Sequence, residues 1–368
     1  MKITKIQAFN VACKLKKPLK IAKMLREKSS NTIVKVETEE GIAGFGEATF
    51  AHFFAGETQD SAKSVVEKFL APVLVGKDPT NILLLADEIE KAIAGNPFAK
   101  AAVEMALWDI KGKALGVPVY SLLGGFQRKI IPVNHSISYG TVSEMVEEAL
   151  EHVAQGFKTL KIYCGRETPQ ADLERIRQIR KVIGEGIHLY VESNQRWSFK
   201  MTLWLLPRLE EMGILFLEQP ISNHLRNEMR ILREQSSIPI AIDEGVFSPE
   251  DVARAKQDGV ADIVNIYVLK AGGILNAKKA LDVSDAMGLS AFVGSFNELS
   301  ISTMAGAHVS ATLTNLIYPC YLVGPLLYEE DILREPLEIR DGMFSLSDRP
   351  GLGIEVDEKQ LKKFSVSS

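Results

Sequence analysis

From about Arg128 the chain alternates short apolar strands with amphipathic helices, and no other feature constrains its fold as tightly. The expected strands are Ile131–Ser136, Leu160–Cys164, His188–Glu192, Ile214–Glu218, Ile238–Asp243, Ile263–Leu269 and Ala291–Gly294, with a last one over Cys320–Val323. Helical periodicity over Val142–Gln155 and Ala171–Ile183 follows the first two strands, and a helix trails each of the others. Seven or eight βα units in about 200 residues predict an α/β fold of the TIM-barrel type. The competitor is a doubly wound open sheet. No phosphate-binding glycine loop follows the first strand of this region, which counts against that alternative.

The leading third reads differently. Lys2–Lys14 alternates as a strand does, and Thr32–Thr38 and Gly41–Glu47 read as two more strands around Glu39-Glu40-Gly41. The pattern turns helical from Asp60. Ala99–Leu115 is Ala-rich and apolar on most faces, which predicts a buried helix. From Pro325 the βα pattern stops, and this tail is expected to fold back on the leading region. The expected organisation is an α+β capping domain over residues 1–127, a barrel over 128–324 and a returning segment over 325–368.

At 368 residues the chain exceeds one typical domain. Its net charge of −4 gives no electrostatic case for nucleic acid or an anionic membrane. Cys13, Cys164 and Cys320 form no CxxC pair, and their odd number argues against a disulfide framework. Met1–Asn10 lacks the apolar core of a signal peptide, and no apolar run reaches transmembrane length. A cytoplasmic protein is expected.

Three of the expected strands end in acids: Glu192, Glu218 and Asp243, separated by 26 and 25 residues, about one βα unit each. In a barrel this spacing places three carboxylates on adjacent strands at the C-terminal rim, where barrel enzymes work. One strand-terminal acid is usually a helix cap or a solvated loop residue. Three converging acids repel one another unless a cation lies among them, and hard oxygen ligands favour Mg²⁺, with Mn²⁺ the alternative. Lys161 and Tyr163 lie on the preceding strand. Lys270 closes the strand after Asp243, just before Ala271-Gly272-Gly273. A lysine ending an apolar strand at the catalytic face is a candidate base.

The order Lys161-x-Tyr163, Glu192-x-Asn194, Glu218-Gln-Pro, Asp243-Glu244 and Lys270-x-Gly-Gly resembles the enolase superfamily, specifically its muconate-lactonizing subgroup. Asn96–Ala102 and Ala106–Ile110 resemble its cap helix; Gly116-Val117-Pro118 and Leu122–Gly125 resemble the approach to its barrel. Gly324–Leu327 and Pro350–Gly353 resemble its C-terminal segment. The resemblance implies a cap built from both chain ends over a (β/α)₇β barrel, and one Mg²⁺ on Glu192, Glu218 and Asp243. It also implies a small carboxylate substrate whose enediolate is stabilised by the metal and a lysine, and a homo-oligomer between dimer and octamer.

The departures are as informative. Glu192 stands where the subgroup usually has aspartate, and Tyr163 where it has the second lysine of a Lys-x-Lys pair. Tyr321 departs from the acid of muconate cycloisomerases, and no histidine near Ala291–Ser295 matches the mandelate racemase dyad. The resemblance makes Glu298 a contact for substrate or for Lys270. It places His52, Phe53 and Phe54 in a cap loop, Phe50–Gly56, that covers substrate. Arg26 and its neighbouring lysines are expected to be a solvated basic stretch in a second cap loop. Asn194 and Glu244 are expected beside the metal ligands or the substrate. The reactions in play are cycloisomerisation, dehydration of a hydroxy acid or acid sugar, and racemisation or epimerisation of an amino-acid derivative. A non-catalytic binding descendant is the alternative outside enzymes.

Overall fold

The computed structural model of the chain describes residues 1–20 and 25–366. The leading region contains the strands β1 (Ile3–Val11), β2 (Lys14–Lys20), β3 (Leu25–Lys28), β4 (Asn31–Thr38) and β5 (Ala43–Thr49). β1, β4 and β5 form an antiparallel sheet in that order, while β2 and β3 form a separate hairpin. Six helices follow: α1 (His52–Ala55), α2 (Gln59–Val65), α3 (Ala71–Leu74), α4 (Ile82–Ala92), α5 (Pro97–Leu115) and α6 (Val119–Leu122). α5 is the helix expected to be buried, and every residue from Phe98 to Ile110 is out of solvent.

α5 lies so close to β5 that a methyl group on Gly46 would run into the Ala102 carbonyl. Gly46→Ala should therefore destabilise the protein by about 3 kcal/mol, because neither backbone has room to yield. The expected readout is a clear drop in Tm. Gly186→Ala, with nothing within 4 Å of the added carbon, serves as the control.

The next elements are β6 (Ile130–Pro132), β7 (His135–Ile137), α7 (Val142–Ala154), β8 (Thr159–Tyr163), α8 (Pro169–Ile183), β9 (His188–Glu192), α9 (Phe199–Glu211) and β10 (Ile214–Glu218). Then come α10 (Arg226–Gln235), β11 (Ile240–Ile242), α11 (Pro249–Gln257), β12 (Ile263–Ile266), α12 (Ile274–Ala286), β13 (Ser290–Val293) and α13 (Ser300–Ala311). β7 to β13 pair in parallel and in sequence order. Cys320 and Tyr321 close the ring: Tyr321 N–H donates to the Val293 carbonyl, Cys320 N–H to Pro132 and Asn134 N–H to Cys320. The fold is a TIM-type (β/α)₇β barrel under an α+β cap.

Four of the expected barrel strands come out shorter, Ile238–Asp243 among them as Ile240–Ile242. Ile131–Ser136 splits at Pro132, which has no N–H to continue a ladder. Its first part pairs with a strand of the tail and only His135–Ile137 enters the barrel. Ile263–Leu269 stops at Ile266, because Tyr267–Gly272 coil into a turn closed by Ala271 N–H on the Tyr267 carbonyl. The closing strand shrinks from Cys320–Val323 to the two residues that bond on both sides.

The tail contributes α14 (Gly324–Leu327), β14 (Ile339–Arg340), β15 (Met343–Ser345) and α15 (Glu358–Phe364). It returns to the leading region through Leu352 N–H on Asp109, Val366 N–H on Asn10 and a bridge between Leu15 and Tyr328.

Two barrel helices lack a side-chain cap of their own and take one from the cap domain. Glu104 of α5 accepts the Ile274 and Leu275 N–H groups at 2.7 and 2.9 Å, at the start of α12. Glu47 of β5 accepts Leu299 and Ser302 N–H at 2.7 and 2.9 Å, at the start of α13. Carboxylates at helix N-termini satisfy orphan donors and complement the dipole.

His308 ties the same helix to α6 and the tail. Its Nδ1 accepts the Tyr120 N–H and its Nε2 faces the Leu352 carbonyl. Burial pushes the imidazole down to about 4. The native state then binds fewer protons than the unfolded chain between pH 6.5 and 4, so the stability present above pH 6.5 falls as pH drops through that window. The full effect is about 3 kcal/mol. Glu104, pushed up to about 7 by burial, acts in the opposite sense above pH 4.5. The test is therefore a difference: His308→Gln should be less stable than wild type at pH 7 and lose less Tm between pH 7 and pH 4.5.

Among the described residues no helix is long and apolar enough to cross a membrane.

Candidate active site

Register brings the acids together. Tyr163 is the lateral partner of Glu192, Glu192 of Glu218, and Glu218 of Ala241, two residues before Asp243. Adjacent parallel strands run about 4.8 Å apart. One oxygen each from Glu192, Glu218 and Asp243 accordingly lies within 4.8 Å of the others, and all three side chains are buried. The chain turns sharply after the acids: Asn194, Gln195 and Gln219 have φ of 46, 66 and 36°, and Asn297, just before Glu298, has 59°. Non-glycine residues rarely adopt this conformation, and such strain collects at functional sites.

Each acid has one oxygen fixed by a rigid donor. Glu192 Oε1 accepts the Asn194 N–H at 2.6 Å, Glu218 Oε1 accepts Asn265 Nδ2 at 2.6 Å, and Asp243 Oδ2 accepts the Tyr267 hydroxyl at 2.9 Å. Gln219 joins the strand ends: its Oε1 accepts the Asp243 N–H, and its own carbonyl accepts Gln195 N–H and the Ser193 hydroxyl.

Two lysines flank the cluster. Lys161 Nζ lies 3.2 Å from Glu218 Oε2 and 3.7 Å from Glu192 Oε2. It is boxed by the rings of Tyr321, Tyr163 and Tyr190 at 4.9, 5.3 and 5.6 Å. Burial opposes its charge, but Glu218 and the other negative neighbours hold Lys161 well above the usual lysine range. Lys270 Nζ sits on the other side, donating to Asp243 Oδ1 at 2.5 Å and to the Asp243 carbonyl at 2.8 Å. Burial, then the nearby carboxylates of Glu218, Glu244 and Asp243, push Glu192 far above the ordinary carboxylate range. Three carboxyl groups crowd together in a dry pocket, and ionising all of them there calls for a further cation. Glu218 Oε2 is buried without a hydrogen bond. An all-oxygen donor set and a buried oxygen without a hydrogen bond fit a hard divalent cation.

A cavity of about 50 Å³ opens above the acids, bordered by Lys161, Tyr163, Glu192, Asn194 and Asp243 from the barrel and by Leu19, Arg26 and Phe54 from the cap. Several expected residues do not border this cavity, although Glu218 and Lys270 belong to the cluster below it. Lys270, Glu218, Glu244 and Glu298 are buried behind the surface of this cavity, and His52 is exposed and does not border it. The Phe53 side chain lies outside the described residues. Glu298 accepts the Phe296 N–H, whereas the ion pair of Lys270 is with Asp243. The expectation of a solvated Arg26 is wrong: it is 6 % exposed and faces the site. Sequence reasoning also passed over Asn265 and Tyr267, and read Gln219 only as part of Glu218-Gln-Pro. The polar pair at 265 and 267 in an otherwise apolar strand was the available signal, because period two points both to one face.

A capped barrel with acids on three successive strand ends and a lysine on either side defines an enzyme of the enolase superfamily. The model for the mandelate racemase / muconate lactonizing enzyme N-terminal domain matches residues 3–124, and the enolase C-terminal domain-like model matches residues 144–360. Chloromuconate cycloisomerase of Cupriavidus necator is 32 % identical over 99 % of each chain. N-succinyl-L-Arg/Lys racemase of Bacillus cereus is 34 % identical over 100 % of this chain and 98 % of the other. The crystal structure of muconate lactonizing enzyme from Pseudomonas fluorescens complexed with muconolactone superposes with a TM-score of 0.97, at 33 % identity over 99 % of both chains. The chain belongs to the mandelate racemase / muconate lactonizing enzyme family.

Proposed function

We propose that this enzyme is a Mg²⁺-dependent isomerase or lyase that forms the enediolate of a small carboxylate, with muconate-type cycloisomerisation the best template. The observation that carries this reading is the buried acid trio with Lys161 on one flank and Lys270 on the other. Glu192, Glu218 and Asp243 would hold the metal, Mn²⁺ being the alternative. The metal would supply Lewis-acid stabilisation of a substrate carboxylate as it gains negative charge.

The remaining work falls to the chain's own groups. Lys270 moves the proton at the α-carbon. Lys161, kept cationic by its carboxylate neighbours, offsets charge developing on the substrate. The Asn194 N–H, Asn265 and the Tyr267 hydroxyl hold the ligand oxygens in place, Gln219 fixes the Asp243 backbone, and Glu244 adds to the negative field. Tyr163, 5 % exposed at the cavity wall, donates a proton or a hydrogen bond. As a base it would become an anion beside three carboxylates, whereas a lysine base becomes neutral. Proton chemistry is then one-sided, which suits cycloisomerisation or elimination of a hydroxyl group from an acid rather than inversion at one carbon. The buried, unpaired cysteines suit a cytoplasmic enzyme, and exposed Leu83, Leu115 and Ile317 suit a homo-oligomer. A cap over 1–127, a barrel over 128–324 and a returning segment over 325–368 remain the working division.

The test is an NMR scan in D₂O of carboxylic acids and lactones with enzyme and Mg²⁺. Exchange at an α-carbon, or conversion, is expected for at least one compound. N-acyl amino acids and dipeptides should not interconvert between stereoisomers at a useful rate. Fast interconversion that disappears in Tyr163→Phe would show that tyrosine serves as the second base.

A further inference from the structure

A second cavity, of about 370 Å³, lies outside the acid cluster, where β2 of the cap and the tail close over β7 and α7 of the barrel. Its apolar walls are Leu15, Leu19, Phe157, Leu326, Leu327 and Ile339. A largely apolar hollow of this size with a few polar groups inside is the usual form of a small-molecule site.

The polar groups are a histidine pair and a carboxylate. The rings of His135 and His152 stack at 3.6 Å, and Phe157 meets His135 edge-on at 5.1 Å. His152 is 6 % exposed and borders the cavity, and among the described residues neither of its ring nitrogens has a hydrogen-bond partner. Glu148 Oε1 lies 3.7 Å from His152 Nε2, beyond bonding distance, while Glu148 Oε2 accepts the Ser138 N–H at 2.8 Å. A buried imidazole whose donor and acceptor are both unmet is costly unless something else supplies the bonds.

The charges at this cavity are unequal in how they are answered. Lys17 is held by Glu151 at 2.7 Å, and Lys16 is exposed at the rim. Burial, then repulsion from His152, pushes His135 down to about 3, so its ring is neutral at pH 7. Glu148 is half-buried, and among the described residues no lysine or arginine pairs with it.

We infer that this cavity is a second ligand site, for a small organic ammonium ion with a flat apolar body, and that its occupancy is felt at the catalytic cavity. The ammonium pairs with Glu148 Oε1 beside His152, and the apolar body lies against Phe157 and the leucines. Neutral aromatic faces favour a cation over an anion. Two contacts carry the coupling. Leu19 borders both cavities. Ser136, on the wall of the second, shares a hydrogen bond of 2.7 Å with the Tyr321 hydroxyl, and the Tyr321 ring lies 4.9 Å from Lys161 Nζ.

The test is a titration of the Mg²⁺-loaded protein with phenethylammonium, followed by NMR of the histidine rings. Of the six histidines, His135 and His152 should shift, with a Kd below about 5 mM. 2-Phenylethanol and 3-phenylpropanoate, which replace the cation by a neutral group and by an anion, should each bind at least about 10-fold more weakly. Glu148→Gln should bring phenethylammonium and 2-phenylethanol to within about 2-fold of each other. Should that variant fail to fold, Leu327→Trp fills the cavity from its wall and should remove binding of both. Saturating phenethylammonium should change the Kd of butanoate by at least about 3-fold, with the reciprocal change in its own Kd. No shift at His135 and His152 overturns the site, as does binding left intact in Leu327→Trp. Equal affinity for the ammonium and the alcohol in wild type overturns the choice of ligand, and an unchanged butanoate Kd overturns the coupling. That last arm alone rests on a carboxylate binding at the acid trio. Glu218→Gln separates the two, since it should weaken butanoate and leave phenethylammonium binding as it was.

Discussion

Lys270→Ala should lose at least about 10³-fold in turnover while remaining folded and able to bind Mg²⁺. The lysine is 1 % exposed, and its ammonium is held by Asp243 rather than bordering the cavity. Removing it strips the only ion-paired cation from Asp243 among the described residues. The acid trio becomes more negative, so Mg²⁺ affinity should hold or rise. A loss of turnover with intact or tighter metal binding is what a residue acting on substrate produces. A merely structural lysine would lower Tm and metal affinity together. The measurements are steady-state kinetics on the substrate found by the exchange scan, a Mg²⁺ titration and a melting curve. Turnover within 10-fold of wild type excludes the role.

The second large effect is expected in Glu218→Gln. This carboxylate is the middle member of the trio and the nearest charge to Lys161, at 3.2 Å. Its neutral isostere preserves the shape and the Asn265 contact region but removes one full charge from the ligand set. Mg²⁺ affinity should fall by about 100-fold or more, with activity lost in parallel. The metal-free protein should respond in the opposite way. With three buried acids crowded together, neutralising one relieves repulsion, so the apo Tm should hold or rise. Wild type at about 100 times its Kd for Mg²⁺ gains about 2.7 kcal/mol from binding, and the variant should show none of that gain. Unchanged Mg²⁺ affinity would remove Glu218 from the metal site.

Why these acids were visible in the sequence and other residues were not follows from what each position depends on. Glu192, Glu218 and Asp243 are read from a spacing along the chain, because a βα repeat converts equal intervals into adjacent strand ends. α5 was legible because an Ala-rich helix apolar on most faces belongs in the interior. Lys270 stood out as a charge ending an apolar strand. Gln219, by contrast, stood in the sequence only as part of Glu218-Gln-Pro, and its linking of neighbouring strand ends depends on the fold. Arg26 lies in a run with Lys14, Lys16, Lys17, Lys20 and Lys28, all of which point to solvent. Only hairpin geometry turns that one basic residue inward. The closing strand was overdrawn because Cys320–Val323 is apolar enough for four residues, whereas the ring needed two.

The shared helix caps bear on how such a protein can be rearranged. Glu47 and Glu104 belong to the cap by sequence and to the barrel by function, since each supplies the donor-satisfying oxygens at the start of a barrel helix. One of those helices begins directly after Leu299, whose N–H Glu47 accepts; the other begins directly after the Lys270 turn. Cap and barrel are therefore not interchangeable parts. A chimera that took its first 124 residues from a relative without acids at both positions would leave two barrel-helix ends bare. It would perturb Lys270 and Glu298 without altering either residue. New substrate ranges in this lineage are accordingly easier to reach through the β2–β3 hairpin and the α1 segment, which carry Leu19, Arg26 and Phe54, than through wholesale exchange of the cap.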